Sequence, residues 1–176
     1  CWDSRFVHPV QEDGKPDYTR VVSCRCVQRE ANETRKKALL AYCELPPEGL
    51  EMTFENFRRT PGTEEAYQAC LAMAEERFDK LRITLMGHTG RGKTHLAIAV
   101  VNRWLQKGKP AKYIYVPNML DELREGFEKE GDESYYSRYQ TFLTVPMLVM
   151  DDLGTENPTA WVQERLDTIY NTRLMN

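Results

Sequence analysis

Eight consecutive residues, Gly87-His88-Thr89-Gly90-Arg91-Gly92-Lys93-Thr94, follow the spacing G-x-x-x-x-G-K-[ST] of a phosphate-cradling (Walker A) loop. Glycines let a backbone take positive φ and wrap an anion without Cβ clashes. Successive N–H groups then converge at a helix N-terminus, where unpaired donors and the helix dipole favour negative charge. Lys93 has the reach for the β- and γ-oxygens of a nucleoside triphosphate, and the Thr94 hydroxyl is a candidate ligand for Mg2+. The plain alternative is a glycine-rich turn. A chance match to the pattern in a chain of this length is on the order of 1%.

A second group follows. Met147-Leu148-Val149-Met150 is a short apolar run that ends on Asp151-Asp152, the pattern of a Walker B strand. A buried parallel strand of this kind delivers carboxylates to the sheet edge where the phosphate loop opens. Asp151 is the candidate to hold Mg2+ through water. Asp152 is the candidate to orient or deprotonate the attacking water. The alternative is an acidic turn after a core strand. The guanine-specificity motif Asn-Lys-x-Asp is absent from these 176 residues, which weighs against a GTPase.

These side chains need an alternating scaffold. Ile83-Thr84-Leu85-Met86 reads as a short strand running into Gly87. Thr94 to Gln106 reads as a helix, with Leu96, Val100 and Trp104 on one stripe and Ala97, Val101 and Leu105 beside it. Lys112 to Val116 reads as a strand. Asn118 then caps a helix that buries Met119, Leu120, Leu123 and Phe127. Met147 to Met150 is a third strand, and Asn157-Pro158 opens a helix on Trp161, Val162, Leu166, Ile169 and Tyr170. Upstream, Thr63 to Lys80 is helical. Strand–helix alternation predicts an α/β fold with a parallel sheet flanked by helices on both faces.

Three segments are expected. Residues 1–27, broken by Pro9, Gly14 and Pro16, form an irregular cysteine module. Residues 28–52 form a charged linker helix that ends at Pro46-Pro47. Residues 53–176 form the nucleotide domain. Both ends read as cut, since the chain starts on Cys1 and stops at Asn176 inside a helical pattern.

Composition fits this picture. Charged residues are 29% and hydrophobics 41% of the chain, which disfavours disorder and disulfide scaffolds. The longest apolar run, Leu96 to Val101, falls far short of the roughly 20 residues of a membrane span, so no membrane partner is expected. The net charge of −3 gives no bulk attraction for nucleic acid. Five cysteines and no visible secretion signal point to reduced thiols, metal ligands or core residues in a cytoplasmic protein. Tyr135, Tyr136, Arg138, Tyr139 and Phe142 are spaced either for stacking on single-stranded bases or for a core-facing helix. The basic stretch Arg25 to Lys37 is either a phosphate contact or a solvated helix.

Taken together, several of these motifs resemble one family. Gly87 to Ala97, with its His95-Leu96-Ala97 continuation, is similar to the phosphate loop of the DnaC/DnaI-type helicase loaders and the IstB transposition ATPases, which are AAA+ proteins. Thr53-Phe54-Glu55-Asn56-Phe57 resembles the family segment leading into the ATPase domain near the adenine pocket. Tyr115 to Arg124, Asp151 to Gly154, and Ile169 to Arg173 resemble the second strand with its helix, the Walker B strand, and the helix after it. The resemblance covers 53–176 well and 1–52 loosely.

It implies an ATP-binding, ATP-hydrolysing AAA+ P-loop protein that loads a replicative DNA helicase. The alternatives are an IstB-like ATPase that assists a transposase, or a non-hydrolysing nucleotide-gated adaptor. Implied partners are the helicase, single-stranded DNA and further copies of the chain. Implied sites are Gly87 to His95 for nucleotide, Lys93 and Asp152 for catalysis, and Thr94 with Asp151 for Mg2+. Asp152 departs from the Glu common at that position and is shorter by about 1.5 Å, which implies slower hydrolysis. Cys1, Cys24 and Cys26 resemble the end of a zinc module that lacks one thiol, with His8 as a candidate fourth ligand. The resemblance also places a further strand, beyond Asn176, between the phosphate-loop strand and the Walker B strand. It thereby implies an incomplete sheet, weak hydrolysis and poor burial for residues 1–176 alone.

Overall fold

The computed structural model describes residues 4–128, 133–155 and 159–175, and it divides into two compact units, Cys1–Ala38 and Leu39–Asn176. In the first unit the Pro- and Gly-broken segment still closes an antiparallel pair, β1 (Phe6–Val7) with β2 (Val22–Ser23). The loop between them is pinned locally. Asp17 accepts hydrogen bonds from the Thr19 hydroxyl at 2.5 Å and the Thr19 N–H at 3.0 Å, which hold its carboxyl below the usual carboxylate range. Helix α1 (Arg25–Cys43) begins three residues earlier than its charge pattern suggests. Cys43 is its one buried residue. The helix stops at Glu44, which turns left-handed with φ of 58°, ahead of the two prolines.

The second unit holds the alternating scaffold. Its elements are α2 (Glu64–Ala74), α3 (Lys93–Gln106), β3 (Ala111–Tyr115), α4 (Val116–Glu128), α5 (Glu133–Thr144), β4 (Met147–Asp151) and α6 (Ala160–Met175). Strands β3 and β4 pair in parallel, from Ala111↔Met147 to Tyr115↔Asp151. Period-two alternation splits their side chains between two cores. Ile114, Leu148 and Met150 pack with Met119, Leu123, Phe142 and Ile169 from α4, α5 and α6. Ala111, Tyr113, Met147 and Val149 pack with Ile98, Val101 and Leu105 of α3 and with Cys43. The pair is thus covered on both faces, as predicted.

Three expectations are corrected. Ile83 to Met86 forms no ladder among the described residues: Ile83 and Leu85 pack on the α2–α3 core, but Met86 is 89% exposed and the backbone has no strand beside it. A strand needs a partner as well as apolar residues. Helix α2 ends at Ala74 rather than Lys80, because Glu76 turns left-handed (φ 58°) where Glu75 pairs with Lys107 and Glu76 with Lys109. Helix α4 starts at Val116 with Pro117 in its first turn, where a missing N–H costs nothing, so Asn118 lies inside the helix and does not cap it. In the aromatic cluster Tyr139 and Phe142 are core residues and Arg138 pairs with Glu44 and Glu122, while Tyr136 is exposed. The Phe127 and Tyr135 side chains and Asn157-Pro158 lie outside the described residues. No described helix is long and apolar enough to cross a membrane.

One cation fixes the path into β4. Arg173 on α6 donates to the carbonyls of Phe142 (3.1 Å), Val145 (2.7 Å) and Pro146 (3.4 Å). These carbonyls end α5 and lead into β4, and a cation at a helix C-terminus is electrostatically favoured.

Candidate nucleotide site

The loop before α3 is shaped by its glycines. Gly87, Gly90 and Gly92 take φ of 147°, 78° and 81°, conformations that a side chain disfavours. Gly92 is further constrained by packing, since a Cβ there would lie 2.6 Å from Phe57 Cε2. Phe57 itself is held by a T-shaped contact with His95 at 5.2 Å and by stacking on Tyr67 at 5.8 Å. The His95 Nε2–H donates to the Thr53 carbonyl at 2.8 Å. Thr53 is tied in turn by its N–H and hydroxyl to Asn56 Oδ1, at 2.9 and 3.1 Å. The segment Thr53 to Phe57 is therefore packed against the end of the loop where α3 begins.

Lys93 opens α3 and folds back on its own loop, donating to the carbonyls of Gly87 (2.9 Å) and His88 (3.1 Å). Thr94, one residue on, donates its hydroxyl to Asp151 Oδ1 at 3.2 Å, across 57 residues of sequence. The loop, the ammonium and the strand-end carboxylate therefore meet in one place. His88, Thr89, Gly90 and Arg91 are exposed along the loop. Hydroxyl and carboxylate oxygens are the hard donors that Mg2+ takes, usually with retained waters and substrate phosphates. The donor set fits that ion.

Two residues that the sequence reading placed only in a strand join the site. The Tyr113 hydroxyl donates to Asp151 Oδ2 at 2.8 Å, and the Tyr115 hydroxyl donates to Asp152 Oδ2 at 3.1 Å. Burial, and then the bond to Asp151, push the Tyr113 phenol well above its ordinary range; the bond to Asp152 raises that of Tyr115. Both phenols stay protonated as donors. Asp152 takes φ of 58°, and the Thr155 hydroxyl bonds its carbonyl at 2.9 Å and its Oδ2 at 3.4 Å. A tyrosine at alternate positions of a parallel strand beside Asp-Asp is the signal that could have found this pair.

The cysteines are less converged. Cys1 lies outside the described residues. Cys24 and Cys26 interact at the start of α1, where hydrogen bonds from Cys26 lower the Cys24 thiol and the bond with Cys24 raises that of Cys26. His8 bonds the Arg20 carbonyl through Nδ1 at 2.8 Å. No group of three or more metal-binding side chains occurs among the described residues. Cys24 and Cys26 are two of the four ligands that tetrahedral zinc takes, and the third candidate, Cys1, is the one outside the described residues. Cys43 and Cys70 are buried, which pushes each thiol up to about 11.

Comparison with known proteins gives a consistent fold. The model of the family described as IstB-like ATP binding protein matches residues 20–167. The replicative helicase loader DnaI of Bacillus subtilis is similar at 30% identity over 91 residues, which is 51% of this chain and 28% of that protein. The chromosomal replication initiator protein DnaA of Campylobacter jejuni subsp. doylei is 31% identical over 122 residues, 68% of this chain and 27% of that protein. The chain thus spans about a quarter of the length of these curated relatives. Among solved structures, DnaI superposes with a TM-score of 0.61 at 24% identity, covering 75% of this chain and 71% of that one. AMPPCP-bound DnaA from Aquifex aeolicus superposes with a TM-score of 0.61 at 23% identity, covering 75% and 40%. The shared architecture is the AAA+ P-loop fold.

Proposed function

Because the chain belongs to the IstB-like ATP-binding protein family, we propose that it binds and slowly hydrolyses ATP and uses that cycle to place a replicative DNA helicase on single-stranded DNA. The observation that carries this reading is the meeting of three positive-φ glycines, Lys93, and the Thr94–Asp151 contact at the N-terminus of α3. Backbone N–H groups from Gly87 to His95 receive the phosphates. Lys93 exchanges its two loop carbonyls for β- and γ-oxygens, which neutralise an ammonium better than carbonyls do. Thr94 and Asp151 hold Mg2+, which when bound screens charge on the phosphates. Asp152, held on Oδ2 by the Tyr115 hydroxyl, orients the attacking water. The similarity to a replicative helicase loader favours the helicase as partner. The second reading is an IstB-like ATPase that assists a transposase, in keeping with the match to the IstB-like family. Assembly through the AAA+ domain into a homo-oligomer belongs to the same proposal.

Thermal stability with and without Mg·ATP tests the site. A ligand at 100 times its Kd adds about 2.7 kcal/mol to the folded state. Lys93→Ala removes that gain, and equal shifts in both proteins reject the reading. Capture of a helicase, against capture of a transposase, by the full-length protein decides between partners. Phosphate release with and without single-stranded DNA separates an ATPase from a nucleotide-gated adaptor. The proposal also assigns residues 1–27 to a cysteine module in which Cys1, Cys24 and Cys26 bind zinc. Metal analysis of full-length protein tests this, and sub-stoichiometric zinc ends it.

A further inference from the structure

Successive residues of a strand point to opposite faces. Tyr113 and Tyr115 are two apart on β3 and share one face, yet they reach consecutive residues, the last of the partner strand and the one just past it. Tyr113 bonds Asp151 Oδ2 at 2.8 Å and Tyr115 bonds Asp152 Oδ2 at 3.1 Å. The register pairs Tyr115 with Asp151, so Tyr113 reaches diagonally along the sheet while the phenol of Tyr115 passes one residue further. The ladder ends at Asp151, and Asp152, one residue past it, takes a left-handed backbone with φ of 58°.

The two carboxylates are not held alike. Asp151 is gripped on both oxygens, Oδ2 by Tyr113 and Oδ1 by Thr94 at 3.2 Å. Asp152 is gripped on Oδ2 by Tyr115 and more distantly by Thr155 at 3.4 Å, with no further partner among the described residues. Tyr113 is 8% exposed and its ring belongs to the α3-side core, so its hydroxyl has a fixed origin. Tyr115 is 42% exposed. From these contacts we propose that Tyr113 and Tyr115 are positioning residues that divide the aspartate pair, Tyr113 fixing Asp151 toward the Thr94 hydroxyl and a divalent cation, Tyr115 holding Asp152 by Oδ2 for its work on the attacking water.

The inference rests on the ATPase reading above. A carboxylate that turns freely must lose that freedom when the cation arrives, whereas one already fixed on Oδ2 does not. Outer partners of this kind are typically worth about 10–100-fold in metal affinity or activity. Each phenol therefore has its own readout.

The experiment uses the full-length protein and an ATP analogue with a fluorescent ribose substituent. Its affinity is measured in EDTA and across a Mg2+ titration. Tyr113→Phe is expected to keep the EDTA affinity within about twofold and to raise the Mg2+ midpoint about 10–100-fold. Tyr115→Phe is expected to leave that midpoint in place and to lower kcat about tenfold at saturating Mg·ATP, with KM unchanged. In an Asp151→Asn background Tyr113→Phe adds no further shift, which provides a second test through non-additivity. An unmoved midpoint in Tyr113→Phe, or equal losses in EDTA and Mg2+, overturns the proposal. Wild-type protein that fails to bind the analogue overturns the ATPase reading itself, a result distinct from either.

Discussion

Gly92 is where the phosphate loop is least replaceable, for two separate reasons. Its φ of 81° is left-handed, and the space a Cβ needs is filled by Phe57 at 2.6 Å. Phe57 is 9% exposed and clamped between Tyr67 and His95, so it has little room to retreat. Gly90 shares the backbone conformation, φ 78°, but a Cβ there meets nothing within 4 Å. Gly90→Ala is expected to cost about 1–2 kcal/mol from the backbone alone. Gly92→Ala adds overpacking of about 1–3 kcal/mol to that. Chemical denaturation of the two variants checks the order, and a smaller loss at Gly92 contradicts it. The thiols give another residue-scale expectation, because the thiolate is the reactive form. Alkylation at pH 8 mapped by mass spectrometry should label Cys24 before Cys26, and should reach Cys43 and Cys70 only on unfolding, since burial pushes both up to about 11. Early labelling of Cys43 would contradict the packing of α1's last residue.

At the scale of elements, β4 is aimed by contacts distant in sequence. Arg173 on α6 satisfies three carbonyls where α5 ends, and partial burial lowers its pKa because the charged form loses water. Arg173→Lys keeps the charge but not the fork, leaving carbonyls unpaired at about 1–3 kcal/mol. For a chain of this size that is about 2–4 °C of Tm per kcal/mol, measurable by calorimetry, while Mg-free nucleotide affinity should hold. An unchanged Tm would mean water replaces the guanidinium at no cost. This kind of contact separates what the sequence discloses from what it does not. The loop from Gly87 to Thr94, helix α3 and the apolar run into Asp151 were legible, because each depends on spacing within about ten residues. The hydroxyls of Tyr113 and Tyr115 were not, because their partners are set by the register of β3 on β4. The early stop of α2 at Ala74 was also hidden, since the glutamates that end it are held by Lys107 and Lys109 from beyond α3. Lys112 is a further case: its ammonium is buried against the Tyr42 carbonyl and Glu44, and Glu44 continues to Arg138 and Glu122. Nothing local marks Lys112 as a core residue.

On the scale of the whole molecule, the parallel sheet has two strands among the described residues, and the segment leading into the phosphate loop is not one of them. Among the described residues, β4 pairs with β3 on one edge only, and the segment from Ile83 to Met86 pairs with nothing. Ile83, Leu85 and Met147 nevertheless lie on the same α2–α3 core, so one helical layer spans the unpaired segment and β4. Backbone N–H and C=O groups left without partners cost free energy unless water reaches them, and both flanks of this segment are open: Leu81 is 75% and Met86 89% exposed. The loop hangs from this segment. A phosphate loop whose leading strand is free to fray presents its N–H groups in many arrangements, and binding must then supply the ordering entropy. Residues 1–176 by themselves are therefore expected to melt with low cooperativity and to turn over ATP weakly. A longer form that supplies a pairing strand should slow hydrogen exchange at Thr84, Leu85 and the outer amides of β4, and should raise turnover together with that protection. Exchange measured by mass spectrometry on both forms reads the two effects side by side. A sharp, cooperative melt with undiminished turnover by residues 1–176 would mean that α3 and the contacts of Phe57 hold the loop without a strand behind it.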